Sequence, residues 1–147
     1  MRICKVFSWD AAHQLKLPYD NPCNNIHGHT YKVEVELEGD LDMDGMVMNF
    51  VTLKERVNKV SFDHYPGMAN KWMAPLNPTA ENMVLVLKHK LEELWKPGEP
   101  QIRRIRIWET PTSWAEEVWD AKNEKVRTTL AESVKQLQKI KADSTGR

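Results

Sequence analysis

The chain has 147 residues, 21 Lys and Arg balanced by 21 Asp and Glu, and 41% hydrophobic residues. That length suits a single domain with a real core. Zero formal charge argues against general affinity for nucleic acid or an anionic membrane, and no apolar run approaches a membrane span, so a small-molecule partner is expected.

The opening Met1-Arg2-Ile3-Cys4-Lys5-Val6 lacks the apolar core of a signal peptide, so a cytoplasmic setting is expected. Residues 2–13 read as a first strand, with Cys4 expected to pack inside it. The polar stretch Lys16-Leu17-Pro18-Tyr19-Asp20-Asn21-Pro22 reads as a loop that carries the chain to Cys23. In a cytosolic protein that thiol is better read as a ligand or reactive group than as half of a disulfide. Cys23-Asn24-Asn25-Ile26-His27-Gly28-His29 then packs one thiol and two imidazoles into seven residues. Alternate side chains of a strand share a face, so His27 and His29 point the same way. His13 ends the first strand, which is able to pair beside the second, and is the candidate third ligand. Three imidazoles with an open fourth position suit a catalytic zinc ion. Two alternatives stand beside this: Cys23 closing a four-ligand site, and three ordinary histidines in a packed sheet.

From His29 to Glu38, Tyr31, Val33, Val35 and Leu37 alternate with Lys32, Glu34, Glu36 and Glu38, which predicts a strand with one wet face. Asp40-Leu41-Asp42-Met43-Asp44-Gly45 resembles the start of a calcium loop, but its twelfth position is Val51 rather than a bidentate Glu, so a turn is expected. Phe50, Leu53, Val57 and Val60 predict a helix over about 50–61, with Asn49 as N-cap. Pro66-Gly67 then marks a turn. Asp63 and His64 precede it, and adjacency alone favours an exposed loop pair over a proton-transfer pair. A second helix begins at the N-cap Thr79 with Glu81 in its first turn. Val84, Leu87, Leu91 and Leu94 form its stripe, His89 lies on its surface, and Pro97-Gly98 stops it. Ile102, Ile105, Ile107 and Trp108 predict a third strand that leads to Glu109, and a fourth covers about 113–119.

The order strand, strand, helix, helix, strand, strand lacks the alternation of a parallel sheet. It predicts an α+β fold, an antiparallel sheet with two helices on one face, over residues 1–120. Within 121–147 basic residues outnumber acidic ones seven to three, and Val126, Leu130, Val134 and Leu137 keep a helical period. That extension is expected to be an extra C-terminal helix and tail, packing on the fold or in an oligomer, with RNA contact as the alternative.

Six motifs occur in series: Ala11-Ala12-His13, Cys23 with His27-Gly28-His29, Gly45-Met46-Val47-Met48, Asp63-His64, Pro78-Thr79-Ala80-Glu81-Asn82 and Trp108-Glu109-Thr110-Pro111-Thr112-Ser113. Over about residues 3–119 the series resembles the 6-pyruvoyl-tetrahydropterin synthase superfamily, and within it the 6-carboxy-tetrahydropterin synthase branch of queuosine biosynthesis. The resemblance implies a tunnelling fold, a four-stranded antiparallel sheet whose subunits join into a barrel, with hexamers and active sites between subunits. It implies a zinc-dependent lyase acting on 7,8-dihydroneopterin triphosphate, releasing acetaldehyde and triphosphate. His13, His27 and His29 would bind Zn2+, Cys23 would be the general base, and Asp63 and His64 a proton relay. Glu109 would anchor the pterin, with Thr79 and Glu81 helping to hold the ring. Asn49, and Tyr65-Pro66-Gly67-Met68 after His64, depart from the branch pattern, so 6-pyruvoyl-tetrahydropterin synthesis is the alternative reaction. A zinc-stabilised pterin-binding module without turnover is the alternative outside catalysis.

Overall fold

Alternating apolar and polar residues build two long strands, β1 (Arg2–His13) and β2 (His27–Glu38), paired antiparallel from Arg2 opposite Glu38 to His13 opposite His27. The computed structural model describes residues 1–64 and 68–120, His64 by its backbone alone. β3 (Gln101–Thr110) pairs with β2, and β4 (Ser113–Val118) pairs with β3, giving a four-stranded antiparallel sheet in the order β1-β2-β3-β4. The expected α+β architecture is the one observed. β2 starts two residues earlier than expected, so His27 and His29 both belong to it.

One face of the sheet holds the core. Tyr31, Val33, Val35 and Leu37 of β2 are completely buried, as are Ile105 and Ile107 of β3. β3 departs from strict alternation to achieve this, because Ile102 lies three residues before Ile105 and would otherwise face outward. The pairing shifts between Glu36 opposite Arg104 and Leu37 opposite Ile102, so Arg103 becomes the extra residue of a bulge. Both isoleucines are then buried. The Arg103 side chain pairs with Glu38 and donates to the Trp119 carbonyl at 2.5 Å, tying the end of β4 to β3.

Helix α1 (Phe50–Val60) is capped by Asn49, whose side chain accepts from the Val51 N–H, and it buries Leu53 and Val57. A short helix α2 (Ala69–Met73) was not foreseen. It has five residues and no side-chain cap; burial of Ala69, Trp72 and Met73 holds it, with the Trp72 indole donating to the Val60 carbonyl. Helix α3 (Ala80–Glu92) starts at Thr79, whose hydroxyl accepts from the Asn82 N–H, and buries Met83, Val84, Val86, Leu87 and Leu91. α3 packs on β3 and β4, while α1 and α2 pack on β1 and on α3. No helix among the described residues is long and apolar enough to cross a membrane. The expected turn at Pro66-Gly67 and the expected helix and tail over 121–147 lie outside the described residues.

The opposite face of the sheet carries interlocked ions. Arg104 bonds to Glu34 and Glu36, Arg106 to Glu116, and the Trp108 indole donates to Glu34. Cys4 sits at an even position of β1 and is exposed on this side, not packed as expected, because only the odd positions meet the helices.

Arg56 of α1 clamps the loop after α3. Its Nη1 and Nη2 each donate to Glu99 at 2.5 Å, and its guanidinium lies 5.1 Å from the centre of the Trp95 ring. The bond from Arg56 holds the Glu99 carboxyl down to about 2. A carboxyl depressed in this way stabilises the fold above its unfolded value, about 4.3, and loses that contribution as pH falls through its folded value. Glu99→Gln is therefore expected to lower Tm by about 3 °C at pH 7, on the order of 1 kcal/mol after discounting for solvent screening. The gap should narrow as pH drops from about 4.3 toward 2, and thermal unfolding followed by circular dichroism across that range checks it.

Candidate metal centre

The antiparallel register places Ala11 opposite His29, Ala12 opposite Gly28 and His13 opposite His27. All three histidines occupy odd positions, so they share the core face at the end of the sheet, where β2 begins and β1 stops. Their ring centres lie 4.5 to 5.0 Å apart, and one ligand nitrogen from each falls within 4.8 Å of the others.

Main-chain carbonyls decide the protonation of two of these rings. His13 Nδ1 lies 2.9 Å from the Pro78 carbonyl and His27 Nδ1 lies 2.8 Å from the Asn25 carbonyl. A carbonyl only accepts, so each Nδ1 carries a hydrogen, and in the neutral form of each ring the lone pair is at Nε2. Those two Nε2 atoms are 2.9 Å apart. Two lone pairs at that distance repel unless a cation lies against both. A proton would serve only poorly at His13, since burial pushes its pKa below the ordinary histidine value, partly opposed by the Pro78 bond. The Tyr31 hydroxyl stands 3.2 Å from His13 Nδ1, and burial raises its pKa, keeping it protonated.

His29 completes the set. Its Nε2 is buried and has no hydrogen-bond partner among the described residues, and the Glu109 carboxylate oxygen Oε1 stands 3.7 Å away. An orphaned buried nitrogen beside two facing lone pairs is the donor arrangement a divalent ion satisfies, and an all-imidazole set suits zinc.

Cys23 sits in a 3₁₀ turn, Pro22–Asn24, where Asn21 Oδ1 accepts its N–H at 2.9 Å. Its thiol is free and half-buried, and it does not belong to the cluster of candidate ligand atoms, so the described residues form a three-histidine group rather than a closed site with cysteine. Glu109 shares the core face with Ile105 and Ile107, which brings its carboxylate beside His29. Thr79 engages its hydroxyl as the α3 cap, one residue from the carbonyl that holds His13, while Glu81 is exposed in the first turn of the helix.

Asp63 is not brought to the histidines. It lies in a 3₁₀ turn, Phe62–His64, where Oδ1 accepts from the Asp10 N–H at 3.2 Å, on the outer edge of β1. That is about 10 Å from His13 by strand rise. It faces a groove of about 410 Å³ that Lys5, Ser8, Lys54 and Asn58 also line. The His64 side chain lies outside what is described. The supporting carbonyls of Asn25 and Pro78 carry no sequence signal, since every residue has one. Tyr31 was legible only as a core residue, although its place two positions after His29 puts it on the same face.

A family model for 6-pyruvoyl tetrahydropterin synthase matches residues 2–118. A protein of Haemophilus influenzae named 6-carboxy-5,6,7,8-tetrahydropterin synthase is 34% identical over 140 residues, covering 78% of this chain and 96% of that one. An Archaeoglobus fulgidus protein, putatively of that name, is 40% identical over 111 residues, covering 74% and 88%. A dihydroneopterin monophosphate aldolase of Pyrococcus furiosus is 35% identical over 108 residues, covering 74% and 89%. Among solved structures, the 6-pyruvoyl tetrahydropterin synthase of Caenorhabditis elegans superposes with a TM-score of 0.69 at 26% identity, covering 82% of this chain and 96% of that one. With the matched span running from the start of β1 to the end of β4, and the three-histidine end of the sheet inside it, the chain belongs to the 6-pyruvoyl tetrahydropterin synthase family and is an enzyme of the lyase class.

Proposed function

We propose that the chain is a zinc-dependent lyase that converts 7,8-dihydroneopterin triphosphate to 6-carboxy-5,6,7,8-tetrahydropterin, releasing acetaldehyde and triphosphate. The carrying observation is the group His13, His27 and His29, whose ligand nitrogens converge, His29 Nε2 having no hydrogen-bond partner among the described residues and the Nε2 atoms of His13 and His27 facing each other with their tautomers set by carbonyls. The names of the Haemophilus and Archaeoglobus relatives support the choice of product.

On this reading His13, His27 and His29 hold the ion through Nε2. Zinc held there would supply Lewis-acid polarisation of the substrate side-chain oxygens and so a lower cost of removing a neighbouring proton. Cys23, outside the ligand set, is free to take that proton as a thiolate. Glu109 receives two parallel hydrogen bonds from the adjacent N–H groups of the pterin edge, which fixes the ring beside the histidines. Thr79 and Glu81 border the same end of α3 and help hold the ring. Asp63 stands away from the histidines of its own chain, which supports a site shared between subunits of a hexamer, with the Asp63 and His64 relay of one subunit serving its neighbour. A cytoplasmic place in queuosine biosynthesis follows from the product.

The 6-pyruvoyl product is the second reading, favoured by Asn49 and by the superposition on the Caenorhabditis elegans enzyme. Incubation of the zinc-loaded protein with dihydroneopterin triphosphate is expected to yield acetaldehyde and a 6-carboxy product by mass. A pyruvoyl product without acetaldehyde would reverse the assignment, and 6-hydroxymethyl-dihydropterin with a glycolaldehyde that still carries the substrate's phosphates would point to an aldolase.

His29→Ala is expected to abolish stoichiometric zinc binding, measured by metal analysis after dialysis. A chelator should remove activity from the wild type, and added zinc should restore it. Cys23→Ala should retain zinc yet lose about 10² to 10⁴ in kcat; an intact rate would dismiss the thiol as base.

A further inference from the structure

Chain segments remote in sequence place Cys23. The loop leaving β1 is tied across itself: the Leu15 N–H donates to the Cys23 carbonyl at 2.9 Å, and the Gln14 side chain to the Asn24 carbonyl at 2.7 Å. The Leu17 N–H adds a bond to Asn24 Oδ1 at 3.1 Å. These bonds set the thiol turn relative to residues 14–17, but something else must hold that stretch on the body of the fold.

Two asparagines do so. Asn70 of α2 accepts from the Gln14 N–H at 2.9 Å and donates to the Gln14 carbonyl at 2.8 Å. Asn77 does the same at Lys16, accepting from its N–H at 2.8 Å and donating to its carbonyl at 3.0 Å. Each amide supplies the donor and acceptor pair that a neighbouring strand would offer, so the edge of β1 is prolonged beyond His13 by side chains. Asn77 is itself anchored, its carbonyl accepting from the Thr79 N–H at 2.9 Å and the Asn82 side chain at 3.0 Å. The next residue, Pro78, holds His13. One turn ahead of α3 thus grips both a ligand histidine and the base of the thiol loop.

We propose that Asn70 and Asn77 are positioning residues for Cys23, their paired bonds to the Gln14 and Lys16 backbone setting where the thiol stands relative to the three-histidine centre. This rests on Cys23 acting as the base and adds what holds it there. Asparagine suits the task because Asp lacks the donor and Gln is one methylene longer. A misplacement of about 1 Å costs a reacting group about 10²-fold in rate.

The test compares Asn70→Ala, Asn77→Ala, their double variant and Asn77→Asp in the full-length zinc-loaded protein. Iodoacetamide is the probe at fixed pH, with exposed Cys4 as the internal reference for half-buried Cys23. The double variant is expected to keep its zinc and to change the Cys23-to-Cys4 alkylation ratio about 5-fold or more. Faster amide exchange should be confined to residues 14–24, and kcat should fall about 10- to 100-fold with KM nearly constant. Asn77→Asp, with the acceptor alone, should lie between wild type and Asn77→Ala. An unchanged alkylation ratio with unchanged exchange in 14–24 overturns the proposal, as does faster exchange throughout the sheet or loss of zinc. The single variants give the same readouts should the double variant not fold. If Cys23→Ala retained full activity, the assignment of the base would fall by itself, while alkylation and exchange would still judge the anchoring.

Discussion

Everything at the end of the sheet depends on the register of β1 against β2. With His13 opposite His27, both histidines and His29 fall on the helix-covered face. Side chains alternate with a period of two, so a slip of one residue would send His13 to the open face and separate the three rings. The register is held along its whole length by Phe7, Trp9, Tyr31, Val33, Val35 and Leu37, which are buried together under the helices. The core therefore does more than stabilise the fold. It selects the pairing in which three nitrogens converge.

The two faces of the sheet divide the work. The covered face is apolar up to Tyr31 and then turns polar at His13, His29 and Glu109. The open face interlocks Glu34, Glu36, Arg104, Arg106 and Glu116. The Arg103 bulge joins the two patterns, keeping Ile102 in the core and putting the Arg103 guanidinium where the end of β4 is held.

The sheet and the two longer helices were legible because their periodicity is strong and their caps, Asn49 and Thr79, have a known chemistry. The three candidate histidines were legible because the spacing of His27 and His29 forces them onto one face, and His13 needed only the hairpin pairing. Helix α2 escaped, since five residues held by Trp72 and Met73 have no local signal. Asp63 shows the limit in another way: its place beside His64 says nothing about which strand edge its carboxylate caps, and it caps β1 at Asp10. The roles of Asn70 and Asn77 were equally hidden, because an asparagine that imitates a strand looks in sequence like any loop residue.

The carbonyls of Asn25 and Pro78 give the centre an unusual kind of inheritance. Because their influence on the imidazoles passes through the peptide unit, replacing either residue leaves the contact intact as long as the path of the chain survives. Evolutionary drift at positions 25 and 78 would thus be silent for the three rings, and related chains could differ there while preserving the same imidazole tautomers.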